Sequence, residues 1–185
     1  MTRTAGRRAD AARNIATVLE AGARLLDEDP SASMSAIAAV AGVDRGTVYR
    51  HFENRDALVC AVHRATLDAI DAALDHARLD NAPVAVALHR LAEDMITLIR
   101  RSPLSPERMR GNPEADRRVD AQQDRVERFF RRAADEGLIR SDLPDGLALA
   151  LLRRTLELLA TQTELDPGPA ADLAVQTLLH GIGER

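Results

Sequence analysis

Arg45, Thr47, Tyr49, Arg50, His51 and Arg55 crowd into one short stretch in which three arginines and a histidine face a single acid, Glu53. These side chains suit an anionic, hydrogen-bonding partner. A guanidinium can donate two bonds to guanine O6 and N7, while threonine, tyrosine and histidine suit phosphate oxygens or a thymine methyl. The order of residues around them reads as helix, tight turn, helix. Ser31 and Ser33 offer N-caps for a short Ala-rich helix from Ser33 to Ala41, and Gly42 stops it because glycine takes the left-handed conformation readily. Asp44 can cap the second helix, which reaches Phe52. Ala38 and Ala41 are small where two helices must cross, and Ile37, Val43, Val48 and Phe52 supply a miniature core. This is a helix-turn-helix layout, whose second helix presents Arg45, Thr47, Arg50 and His51 outward.

Ile37-Ala-x-x-Ala41-Gly42-Val43-x-x-Gly46-Thr47-x-Tyr49-x-His51-Phe52-x-x-Arg55-x-x-Leu58 runs without a gap. It resembles the DNA-binding signature of the TetR (tetracycline repressor-like) family of bacterial transcription regulators. The resemblance implies an N-terminal three-helix DNA-binding domain, a longer helical domain that binds a small ligand, and a homodimer through the last two helices. It implies phosphate and groove contacts for Thr47, Tyr49 and His51. It sets Arg55 where a lysine commonly binds phosphate, and Arg45 and Gly46 where bases are most often faced, which makes Arg45 the candidate for direct readout. Ser33 and Arg50 complete the expected interface. Asp44 departs from the serine common there; a carboxylate near phosphate is unfavourable unless it accepts from cytosine or pairs with Arg45. Arg3, Arg7 and Arg8 form either an arm that reaches DNA or a solvated tail.

The rest of the chain has helical periodicity throughout. Apolar residues recur at three- and four-residue steps over 10–27, from Asn54 or Arg55 to about Arg78, from Val84 to about Arg101, over 114–136, and in final helices at about 145–165 and 169–181. Ser102 to Pro113 reads as a loop with at most a short helix around Pro106–Arg110. The expectation is an all-α fold of about nine helices. Residues 1–56 (arm 1–9) would form the helix-turn-helix domain and 57–185 a ligand-binding and dimerisation domain. The last two helices are apolar on two sides, so they are either a fully buried core pair or half of a four-helix C2 interface. The second arrangement would use Leu151, Leu152, Leu158, Leu159, Leu173, Val175, Leu178 and Leu179.

Composition sets limits. The net charge is −4, every one of the 25 basic residues is arginine, and aromatics make up 2% of the chain. A surface of that balance does not suit a general polyanion binder, so DNA affinity must be local. Residues 1–56 balance eight arginines with eight acids, whereas 57–185 hold 17 arginines and 21 acids. The sequence predicts no membrane span and a cytoplasmic protein. His63, His76 and His89 lack metal-ligand spacing, Cys60 reads as a small buried hydrophobe or a redox sensor, and no catalytic grouping is visible; neither metal, cofactor nor enzyme activity is expected. His63, His89, Met95, Met109, Phe129, Phe130 and Arg153 are the candidate ligand contacts. With so few aromatics, a mostly aliphatic effector bearing a carboxylate or hydroxyl fits better than a planar cationic dye. The expected function is a ligand-responsive repressor that binds a palindromic operator as a homodimer. The alternatives are an all-α small-molecule-binding dimer without a DNA role, an activator, or a ligand-independent regulator.

Overall fold

The computed structural model describes residues 2–103 and 106–182. Among these it contains eight α-helices, one 3₁₀ turn at Pro106–Met109 and no strand. The chain divides into two compact units, Met1–Leu67 with Arg101–Met109, and Asp68–Arg100 with Arg110–Arg185. The boundary falls inside the fourth helix, whereas the sequence reading puts it at that helix's start.

The first unit begins with α1 (Thr2–Glu28). Its helix starts far earlier than the expected arm allows, because no proline interrupts a run rich in alanine and arginine, both good helix formers. The side chains of Arg3, Arg7 and Arg8 lie outside the described residues. Two short helices follow, α2 (Met34–Val40) and α3 (Arg45–His51). Ser33 caps α2 by accepting from the Ala36 amide at 3.1 Å. Gly42, at φ +64°, ends the helix, with its own N–H on Ala39 O and that of Val43 on Ala38 O. Asp44 then caps α3, accepting from the Thr47 amide at 3.2 Å. Val18, Leu26, Ile37, Val48, Phe52 and Leu58 are all buried, and they form the apolar centre that fixes the two short helices.

The helix α4 (Arg55–Ala77) opens on Asn54, whose Oδ1 accepts from Ala57 N at 2.8 Å. Within this unit α1 and α4 approach closely at Gly22, where an added Cβ would stand 2.8 Å from Val62 Cγ2. Valine is stiff at χ1 and cannot move aside cheaply. Gly22→Ala gains about 1 kcal/mol in helix propensity but loses about 1–3 kcal/mol to overpacking. Urea unfolding should therefore show no stabilisation, and a net loss of about 1 kcal/mol that shrinks when Val62 is alanine. A stability gain of the full propensity value would show that the two helices do not touch there. Cys60, between Leu58 and Val62 on α4, is exposed rather than buried. The positions on either side of it point inward, so the helical period turns it to solvent.

The second unit contains the remainder of α4 with α5 (Val84–Arg101, of which Arg101 belongs to the first unit), α6 (Pro113–Asp135), α7 (Leu147–Ala160) and α8 (Pro167–Ile182). Asn112 caps α6, accepting from the Glu114 and Ala115 amides. An ionic ladder joins α6 to α4. Arg118 bonds Asp68 at 2.7 Å and Asp71 at 2.5 Å, Gln122 donates to Asp71 at 2.8 Å, and Arg125 donates to Asp75 at 2.7 Å. Arg132 spans the turn after α4, donating to the carbonyls of Leu79 and Ala82 while its guanidinium carbon lies 5.6 Å from the centre of the Phe129 ring. No helix among the described residues is long and apolar enough to cross a membrane.

Candidate nucleic-acid interface

Recognition chemistry is concentrated on α3. Its core side is one residue, Val48, which is buried. One buried position in two turns leaves the rest of the helix outward, and Arg45, Gly46, Tyr49, Arg50 and His51 are all exposed, with Thr47 half-exposed. These side chains are ordered among themselves. Arg45 Nη2 donates to Tyr49 Oη at 3.3 Å, and its guanidinium carbon sits 5.0 Å from the ring centre, at cation–π distance. Arg50 folds back along the helix, donating from Nε to Gly46 O at 3.3 Å and from Nη2 to Thr47 Oγ1 at 2.8 Å. The Thr47 hydroxyl thus accepts from arginine and keeps its own hydrogen to give to a phosphate.

Asp44 and Gly46 prove to be linked. The Asp44 carboxylate turns to cap α3, and a Cβ at position 46 would lie 2.9 Å from its Oδ2. The acid that departs from the signature is therefore occupied by the backbone, and the glycine leaves room for it. Ser33 is likewise a cap, for α2. Arg55 differs from its simplest reading. Its Nε donates to Ala32 O at 2.9 Å and its Nη2 to Pro30 O, so it ties the start of α4 to the turn between α1 and α2. A guanidinium has five N–H donors, and the remaining three stay available to an anion. The neighbouring Ser35 hydroxyl, first, and the Arg45 guanidinium that donates to it hold the Tyr49 phenol below its ordinary pKa.

The candidate ligand contacts fall in both units. His63 and Met109 belong to the first, and His89, Met95, Phe129, Phe130 and Arg153 to the second. Burial depresses the pKa of His63, keeping it neutral. Met109, Phe129 and Phe130 are buried, and the two phenyl rings meet edge to face with centres 5.4 Å apart. His89 lies 3.2 Å from Asp172, and Arg153 approaches Glu157 at 4.0 Å. Among the described residues no group of three or more His, Cys, Asp or Glu side chains could hold a metal ion.

The residues expected at a subunit interface separate into two sets. Leu152 and Leu178 are buried within their own unit and are corrected to core positions, since each lies on the side of its helix that packs inward. Leu158 is 64% exposed and Leu173 43% exposed, and Leu151, Leu159, Val175 and Leu179 are half-exposed. The ladder between α4 and α6 escaped the sequence reading. Its signal was present, since Asp68, Asp71 and Asp75 share one face of a helix and Arg118, Gln122 and Arg125 share another.

Residues 18–62 match the family model described as bacterial regulatory proteins, tetR family. The chain is 37% identical over 81 residues to the HTH-type transcriptional repressor LfrR of Mycolicibacterium smegmatis; the match spans 44% of this chain and 43% of that protein, less than half of each. Similarity of fold extends much further. The crystal structure of LfrR from Mycobacterium smegmatis in complex with proflavine superposes with a TM-score of 0.68 at 25% identity, covering 92% of this chain and 97% of that one. The ketosteroid transcriptional regulator KstR2 of Mycobacterium tuberculosis gives a TM-score of 0.74 at 20% identity, covering 92% and 95%. The signature on α2 to α4 thus falls within the segment, residues 18–62, that matches the tetR-family model, and the chain shares the all-helical fold of solved TetR-like regulators.

Proposed function

We propose that the chain is a cytoplasmic repressor that reads a palindromic operator as a homodimer and releases it on binding a small effector. The observation that carries the DNA-reading role is the exposed face of α3, on which Arg45, Thr47, Tyr49, Arg50 and His51 stand together on a seven-residue helix held by capping and one buried valine. Repression is supported by the similarity to a protein named as a repressor. The homodimer is supported by the leucines that α7 and α8 leave in solvent. Two copies related by a twofold axis would set their α3 helices in successive major grooves, roughly 34–36 Å apart, and the operator would share that symmetry.

The effector class follows from what the second unit offers. LfrR has been crystallised with proflavine, a planar cationic dye. In this chain Phe129 and Phe130 pack on each other, and Arg132 covers Phe129. Both rings are buried, so little ring surface is left to stack on a dye. A mostly aliphatic effector with a carboxylate or hydroxyl is the better fit, with His89 and Arg153 of this unit as the polar contacts.

A gel-shift titration on the duplex upstream of the chain's own gene tests both parts. Arg45→Ala with Tyr49→Ala is expected to weaken binding roughly tenfold at constant salt, in line with about 1–3 kcal/mol for a good base contact. Binding that is unaltered by the pair of substitutions would refute the DNA role. In the same assay a long-chain fatty acid should release the duplex at concentrations where proflavine does not; the reverse order would overturn the effector class.

A further inference from the structure

Two pairs of side chains stand on α3, one on either side of Gly46. At about 100° per residue, Arg45 and Tyr49 fall on one flank of the helix and Thr47 and Arg50 on the other, with buried Val48 opposite Gly46. The two arginines are held differently. Arg45 is the first residue of α3, and recognition helices meet base edges with their N-terminal residues. Arg50 lies in the last turn, and its Nε bond to Gly46 O at 3.3 Å draws the guanidinium back along the helix instead of outward. Its Nη2 then reaches Thr47 Oγ1 at 2.8 Å. Both acceptors are neutral, so neither compensates the charge of Arg50. Arg118 and Arg125, by contrast, spend theirs on aspartates. Three of the five N–H donors of Arg50 are left after these two bonds. Because the Thr47 oxygen accepts from a cation, its own O–H becomes a stronger donor.

We propose that Arg50 and Thr47 together form a phosphate clamp: the hydroxyl and the guanidinium donate to one DNA phosphate, and Arg50 reads no base. The inference rests on the DNA-reading function proposed above and deepens it by dividing α3 between two tasks. The Arg45 flank reads sequence, and the Arg50–Thr47 flank supplies sequence-independent affinity and register. A guanidinium that contacts a phosphate releases condensed counterions and a neutral hydroxyl does not, so the two members of the clamp have different salt signatures. The hydrogen bond between them makes their contributions interdependent.

The test uses the full chain and a duplex that the wild type enriches from a randomised library. Single base-pair variants of that duplex and an unrelated duplex are titrated beside it over a series of salt concentrations. Arg50→Ala is expected to weaken binding to every duplex about tenfold, the worth of a hydrogen bond to a charged group. It should also lower the slope of log K against log salt by about one per subunit. The affinity ratio between enriched and variant duplexes should stay at the wild-type value, whereas Arg45→Ala should lower it. Thr47→Val should weaken every duplex about fivefold with the slope unchanged, and Thr47→Ser should restore binding. In an Arg50→Ala background, Thr47→Val should cost less than it does alone. Arg50→Lys keeps the charge without the planar fork, so it should keep the slope and lose part of the affinity. Circular dichroism checks the helix content of Arg50→Ala; if it falls, Arg50→Gln, which keeps most of the stem without the charge, is read in its place. A ratio altered by the Arg50 variant would show that Arg50 reads a base. An unchanged slope would show that it touches no phosphate, and additive losses at Thr47 and Arg50 would show that the two act apart; each of these results overturns the inference while the DNA-reading function stands. If the wild type binds no duplex, that function fails and this inference with it.

Discussion

Replacing Leu158 and Leu173 by glutamate is expected to convert the proposed dimer to a monomer and to weaken operator binding about a thousandfold. Both leucines project from the α7–α8 pair into solvent, 64% and 43% exposed, beside half-exposed Leu151, Leu159, Val175 and Leu179. Fully burying one such side chain contributes about 1.5–3 kcal/mol. A twofold interface counts each leucine twice and sets each new carboxylate near its own copy. The effect on DNA comes from linkage. A dimer engages its second half-site at an effective concentration of order millimolar, so a half-site affinity of order micromolar gains about three orders of magnitude that a monomer forgoes. Exposed positions tolerate substitution with little change in fold stability, so helix content should be preserved. Sedimentation and gel shift on the same preparations check the result. A variant that still sediments as a dimer and binds the operator unchanged would remove α7 and α8 from the interface.

The second large effect concerns stability. Arg100→Ala should destabilise the second unit by about 3 kcal/mol, which for a chain of this size lowers Tm by roughly 6–12 °C. Arg100 is half-buried at the end of α5 and reaches the far end of α7. Its Nε donates to Ala160 O at 3.2 Å, and its Nη2 donates to Leu159 O at 3.4 Å and to Gln162 O and Leu165 O at 2.9 Å each. These carbonyls belong to the last turn of α7 and the loop leading to α8, beyond the regular helical ladder; Leu159 O and Gln162 O also accept turn amides, from Gln162 and Leu165. A fixed cation at a helix C-terminus also complements the macrodipole. Lysine has a single ammonium in place of a planar fork and cannot satisfy the same set, so Arg100→Lys should recover only part of the loss. Thermal unfolding followed by circular dichroism measures both variants. A Tm within 2 °C of wild type would mean that water caps these carbonyls equally well. Because the clamp holds the loop joining α7 and α8, Arg100→Ala should also weaken the proposed dimer.

Much of the fold was legible because its signals are local. Pro30, Pro83 and the Asp166–Pro169 run mark breaks, and a period of three to four places the helices to within a few residues. The candidate DNA interface was legible for the same reason. Its side chains lie in one short stretch, and a helix of known phase sets which of them face outward once Val48 is assigned inward. The early start of α1 was missed because a helix without an interrupting proline needs no motif to extend. Cys60 was misread because a small thiol carries no polarity signal to separate the outer face of α4 from the inner.

The sequence by itself determined that this chain is all-helical, that Gly42 turns between two short helices capped by Ser33 and Asp44, and that Arg45, Thr47, Tyr49, Arg50 and His51 share one outward helix. Those properties depend on residues within a few positions of each other, where backbone geometry alone sets the outcome. Only the tertiary structure decided that Arg55 spends two donors on Pro30 and Ala32, that Gly22 makes room for Val62, and that Arg100 closes the end of α7. It also decided that Leu152 and Leu178 are core while Leu158 and Leu173 remain in solvent. A leucine-rich helix is apolar in nearly every direction, so its periodicity does not distinguish its own core from a partner's surface; which neighbour covers which face does.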